Sequence, residues 1–193
     1  MRKQDHSLGR QAFNQVRSAC HTKQFFEGYS ALKNISPEFS QAFSTYSDFF
    51  GVARKAMKEM AIINVASVLD KQKNSTGMLK LIDEAQRKQP ILTGLCENIK
   101  NSLNESRYIF SKAVEIRSNI IAHRSKKISF KEAYDKAELT DSEISAAINK
   151  WLKVAQELSQ ATHGEKWNVN SGPGEAAKRL MHDISVWQKL GEL

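Results

Sequence analysis

PILTGLCENIKNSLNESRYIFSKAVEIRSNIIAH, residues 90–123, decides how this chain folds. Leu92, Leu95, Cys96, Ile99, Leu103, Phe110, Ala113 and Val114 recur at three- and four-residue steps, the period of a helix with one apolar face. The spacing predicts a long core-facing helix that opens after Pro90 and reaches about Ala122. Extending the stripe brings Arg117 into line with the apolar face, flanked one turn on by Ile120 and Ile121. A permanent cation on such a face costs stability unless something pairs with it. Either the long stem of Arg117 snorkels to a surface, or the face meets a second helix or subunit and the guanidinium projects between them.

Upstream, Ser36-Pro37-Glu38 is a helix start, a serine cap with proline at the first helical position. Phe39, Ala42, Phe43, Tyr46, Phe49, Phe50, Ala53, Met57, Met60 and Ile63 follow at helical steps. They predict a second long helix, reaching toward Leu69, of about nine turns. The aromatic stripe reads as core, not as a platform for stacked bases. The polar run from Asp70 to Gly77 ends this helix, and a short helix with Met78, Leu79, Ile82 and Ala85 comes next.

The remaining segments are helical too. An N-terminal helix is expected from about Leu8 to Phe26, with Phe13, Val16, Cys20 and Phe25 or Phe26 on one face. Arg124 to Lys127 reads as a loop. Ser129 with Glu132, and more clearly Thr140 with Glu143, have the spacing of capping boxes. The second starts a helix through Ile144, Ala147, Ile148, Trp151, Val154, Ala155 and Leu158. His163 to Gly174 reads as a connector, and Ala177, Leu180, Met181, Ile184, Trp187 and Leu190 mark a final amphipathic helix. The expected architecture is an all-α helical bundle with two long core helices. It forms a single domain over residues 1–193, with a tail at 1–8 and the helix at about 175–191 packed on it.

Composition agrees. Among 193 residues only 9 are glycine and 3 proline, which disfavours a turn-rich β fold. The formal charge of +8 favours an anionic partner, nucleic acid first and an acidic protein or membrane surface behind it. Cys20 and Cys96 lack metal-type spacing and read as thiols in or near a reduced core. The first 25 residues contain no apolar block of a leader, and the most apolar run, Met60 to Leu69, falls well short of the ~20 residues a membrane span requires. A cytoplasmic protein without membrane attachment is expected. No glycine-rich phosphate loop, two-histidine metal pair, nucleophile elbow or CxxC motif occurs, so no metal or other cofactor is expected.

His123 lies six residues beyond Arg117, about 120° around an ideal helix. The two side chains therefore meet only if the helix ends near Ala122 or if two copies share a cleft. Arg124, Lys126 and Lys127 follow at once, where the helix dipole favours cations. Arg17 with His21, and Arg179 with His182, read as solvated surface pairs.

The segment Glu115-Ile-Arg-Ser-Asn-Ile-Ile-Ala-His-Arg124 resembles the signature of the HEPN superfamily (higher eukaryotes and prokaryotes nucleotide-binding). That signature is an arginine, four to six residues and a histidine, late in a long helix. The Ile-Ala-His-Arg ending is similar to the AbiU-like, abortive-infection branch. The resemblance also takes in Ile63 to Asp70, the Met78 to Ile82 helix and the helix opened at Leu139-Thr140, roughly residues 10 to 190. It implies a dimeric all-α domain in which two motifs face one cleft. Many relatives are metal-independent endoribonucleases acting as toxins or in antiviral defence. Carried across, Arg117 and His123 are the catalytic pair, RNA is the substrate, and an antitoxin protein is a partner. Where relatives usually have Asn, Asp or His after the arginine, this chain has Ser118, with Asn119 next. The branch silenced by nucleotide addition carries a tyrosine two residues past its histidine; here that position is Ser125.

Such an RNase uses the substrate's own 2′-hydroxyl as nucleophile. It needs a proton acceptor, which suits histidine, and a stabiliser of phosphorane charge, which suits arginine. Ser118, Asn119, Arg124, Lys126 and Lys127 would then hold the backbone without reading bases. The alternative expectation is a non-catalytic RNA- or protein-binding module of the same fold, in which Arg117 and His123 only hold a dimer together.

Overall fold

The computed structural model describes residues 6–70, 77–122, 129–163, 179–180 and 182–186. Regular structure among them is helical throughout: α1 (His6–Lys33), α2 (Ser40–Thr45), α3 (Ser47–Ser67), α4 (Met78–Lys88), α5 (Thr93–Glu105), α6 (Arg107–Ala122), α7 (Phe130–Ala137) and α8 (Asp141–His163). Short 3₁₀ turns at Pro37–Phe39 and Pro90–Leu92 lead into α2 and α5. Residues 179–180 and 182–186 are helical as well. The all-α expectation holds. The loops expected at residues 71–76 and 124–127, the connector expected beyond His163, and Trp187 and Leu190 lie outside the described residues. No described helix is long and apolar enough to cross a membrane.

Both predicted long helices are interrupted. The first breaks at Tyr46, within the run Ser44-Thr45-Tyr46-Ser47-Asp48. Hydroxyl and carboxylate side chains compete there for backbone groups, and Thr45 Oγ1 donates to the Gln41 carbonyl at 3.1 Å. It also stops at Ser67, where the bonds tighten to three-residue steps, Val68 N–H to the Val65 carbonyl and Asp70 N–H to that of Ser67. The second breaks at Ser106, whose N–H returns to the Leu103 carbonyl at 3.2 Å. This is the Asn/Ser-rich gap in the apolar stripe between Leu103 and Phe110.

The chain forms two compact units. The first comprises Met1–Thr22 and Ile62–Asn168, the second Lys23–Ala61 and Val169–Leu193. In the first unit, α5 packs on α4 and α8, and α6 packs on α7 and α8. Its core includes Ile82, Cys96, Ile99, Phe110, Ile116, Ile148 and Trp151, all essentially inaccessible. Each large apolar side chain so buried contributes about 1.5–3 kcal/mol. The face that α1 presents differs from the predicted one. Leu8, Ala12, Val16 and Ala19 are buried, while Phe13 and Cys20 are only partly covered. Among the buried residues is Gln15, whose Oε1 accepts a hydrogen bond from Trp151 Nε1 at 3.0 Å.

Both capping boxes are present. Ser129 Oγ accepts from Glu132 N–H, and Glu132 returns to Ser129 N–H at 2.6 Å. Thr140 and Glu143 do the same at the start of α8.

In the second unit, Leu32 and Phe50 form a small core with Ile35, Phe39, Phe43, Ala53, Met57 and Ile184 packed against it. The predicted aromatic stripe is only partly core. Phe50 stacks on Phe43 with ring centroids 5.4 Å apart, but Phe49 is 62% exposed and Tyr46 49%. Neighbouring residues of a helix project about 100° apart, so Phe49 and Phe50 cannot both face one core.

Candidate functional site

The last turns of α6 carry Arg117. The buried positions Ile109, Phe110, Ala113 and Ile116 lead up to it, so its Cα belongs to the edge of the core face. The side chain is 21% exposed, and Nη1 lies 3.6 Å from Asp70 Oδ2. The inward-placed cation therefore has a carboxylate beside it, on the segment that follows α3. Asp70 follows the end of α3. Its N–H donates to the Ser67 carbonyl, which fixes its backbone close to the helix terminus.

A second constraint comes from α4. Gly77 caps its start in an extended conformation, φ −60° and ψ 147°. A side chain there would collide with the Asp70 carbonyl, and also come within 3.0 Å of the Ser67 carbonyl oxygen. Glycine is therefore required by close approach, not by handedness. Leu79 N–H donates to the Val68 carbonyl at 3.3 Å, joining the start of α4 to the end of α3. The backbone that presents Asp70 to Arg117 is thus set from both sides.

One and a half turns before Arg117, α6 is tied to its neighbours by Lys112. Its Nζ donates to Glu143 Oε1 at 2.9 Å and to the Glu138 carbonyl at 3.0 Å. Glu138 ends α7 in the left-handed region, φ 49°, which turns the chain into α8. Glu143 is held below the usual carboxylate range by the Thr140 N–H, then by the Lys112 ammonium. The same carboxylate that caps α8 therefore fixes the azimuth of α6.

Of the sequence-predicted site residues, Arg117 is largely buried, Ser118 is exposed and Asn119 is partly buried. His123, Arg124, Lys126 and Lys127 lie outside the described residues. Sequence alone gives Asp70, at the end of the apolar Ile63–Asp70 segment, no role. The signal that could have found it is an acidic residue at the end of a core helix in a chain whose other core helix carries an unmatched arginine. Among the described residues no group of three or more His, Cys, Asp or Glu side chains could hold a metal ion. Cys96 is buried, and burial pushes its thiol up, as for a core residue.

The all-helical architecture, with an arginine late in a core-facing helix, agrees with the HEPN class of domain. The chain belongs to the AbiU2 family of that class: the family's model, HEPN_AbiU2, matches residues 10–180. The matched span runs through both compact units. No curated protein and no solved structure matches the chain.

Proposed function

We propose that the chain is a metal-independent endoribonuclease of abortive-infection defence, with Arg117 and His123 as its catalytic pair and two copies sharing one cleft. The observation that carries this reading is the largely buried Arg117 beside the Asp70 carboxylate, within the span matched by the AbiU2 family. A guanidinium already gathered to the edge of the core loses little freedom on meeting a phosphate. In the reaction the substrate 2′-hydroxyl attacks the adjacent phosphorus, His123 takes its proton, and the 5′-oxygen leaves. Arg117 donates to the non-bridging oxygens as their charge grows. Ser118, Asn119, Arg124, Lys126 and Lys127 hold neighbouring phosphates and riboses. RNA, a second copy of the chain and an antitoxin protein are its partners.

The test is cleavage of a labelled structured RNA by the purified chain, with and without chelator. Cleavage is expected to survive the chelator, to leave a 2′,3′-cyclic phosphate, and to disappear in both Arg117→Ala and His123→Ala. A requirement for divalent ion, or activity in both variants, overturns the proposal. RNA binding without cleavage would support the non-catalytic module instead.

A further inference from the structure

In the first unit a groove of about 330 Å³ runs between the N-terminal half of α1 and the start of α4. Its α1 wall includes Gln11, Asn14, Arg17 and Ser18; Lys80 and Glu84 stand on the α4 wall. Two features give it a sign and a direction. From His6 to Phe26 the chain contains no Asp or Glu. Over that span Arg10, Asn14, Arg17 and His21 are spaced to share one face of α1, and Arg10, Asn14, Arg17 and His21 are all exposed. Among the described lining residues Glu84 is the one carboxylate, and Lys88 Nζ sits 2.6 Å from it. With Lys88 beside Glu84, the described lining residues Arg17 and Lys80 leave the groove walls with an excess of positive charge. The direction comes from Gly77, which lines the groove and whose Cα abuts the carbonyl of Asp70, the partner of Arg117.

We infer that this groove binds the sugar–phosphate backbone of an RNA strand and leads it toward Arg117. Arg17 and Lys80 neutralise phosphates from opposite walls, while Gln11, Asn14 and Ser18 offer donors to phosphate and acceptors to 2′-hydroxyls. No aromatic side chain is among the described residues that line the groove, so they grip the strand without stacking bases and without sequence preference. Arg10, about 10 Å along the helix axis from Arg17, extends the track by a further phosphate. The inference rests on the RNA-cleavage reading only for what happens to the strand once bound.

The experiment measures binding of a labelled single-stranded RNA by fluorescence anisotropy across a salt series, using the full chain with Arg117→Ala so that cleavage plays no part. Adding Arg17→Glu and Lys80→Glu together is expected to raise Kd at least tenfold. It should also lower the log–log salt slope by about 1.4, since each lost phosphate contact on a single strand removes about 0.7. Lys55→Glu on α3, 70% exposed, changes the charge by the same amount as either single variant and should shift Kd less than twofold. Equal weakening by Arg17→Glu and Lys55→Glu would show a diffuse charge effect and overturn the groove. So would unchanged binding in the double variant, or binding of polyglutamate in preference to RNA. Arg17 is exposed, so an unchanged thermal melt of Arg17→Glu separates lost binding from lost folding. Groove-dependent binding by a wild-type chain that cleaves nothing would sink the catalytic reading and leave the groove standing.

Discussion

Arg117 Nη1 and Asp70 Oδ2 stand 3.6 Å apart, with each side chain about four-fifths buried. The pair joins the end of α3 to the last turns of α6 and holds the guanidinium in one place. Asp70→Asn keeps the shape and removes the charge. Partly screened pairs contribute little to folding, so urea denaturation should show a loss within about 1 kcal/mol. Single-turnover RNA cleavage, in contrast, is expected to fall about tenfold or more through misplacement of the arginine. Unchanged cleavage would show that Asp70 does not position Arg117.

Gly77→Ala places a methyl group on the Asp70 carbonyl, a backbone obstacle that cannot rotate away. Overpacking of this kind costs about 1–3 kcal/mol. Chemical denaturation should show that loss, and cleavage should drop further than stability accounts for at low temperature. Gly51→Ala is the control, because nothing lies within 4 Å of a methyl group there. Equal behaviour of the two variants would refute the steric account.

Gln15→Leu leaves the buried Trp151 indole N–H without its acceptor. An orphaned buried donor costs about 1–3 kcal/mol. Combining Gln15→Leu with Trp151→Phe removes the orphan, so the double variant should be less destabilised than the sum of the two single changes. Strict additivity in a denaturation cycle would mean that the bond carries no coupling energy.

Glu143 is held below its ordinary range by the Thr140 N–H and then by Lys112. A carboxylate depressed in the folded state adds stability above its unfolded value, about pH 4.3, and loses it as pH falls through the folded value. Thermal melts of the wild type and Glu143→Gln should therefore differ near neutral pH and converge toward pH 3. A difference independent of pH would assign the effect to the side-chain amide and not to charge. Thr140→Ala removes the reciprocal half of the cap and should cost about 0.5–2 kcal/mol.

The helical class, the order of the helices and both capping boxes were legible in the sequence. Each depends on residues at most four apart: the 3.6-residue period through Phe110 and Ala113, and the return of Glu143 to Thr140. So was the inward direction of Arg117, because a helix carries its phase forward. What a stripe does not encode is its own interruption. Tyr46 and Ser106 break the long helices because short polar side chains offer the backbone a competing bond, and whether they win depends on what packs around them. The tertiary structure alone decided that Phe50 and not Phe49 enters the core, that Gln15 pairs with Trp151 across 136 positions, and that Asp70 meets Arg117. These contacts join elements distant in sequence. Their cost or benefit is fixed by burial and distance in three dimensions, which no local spacing records.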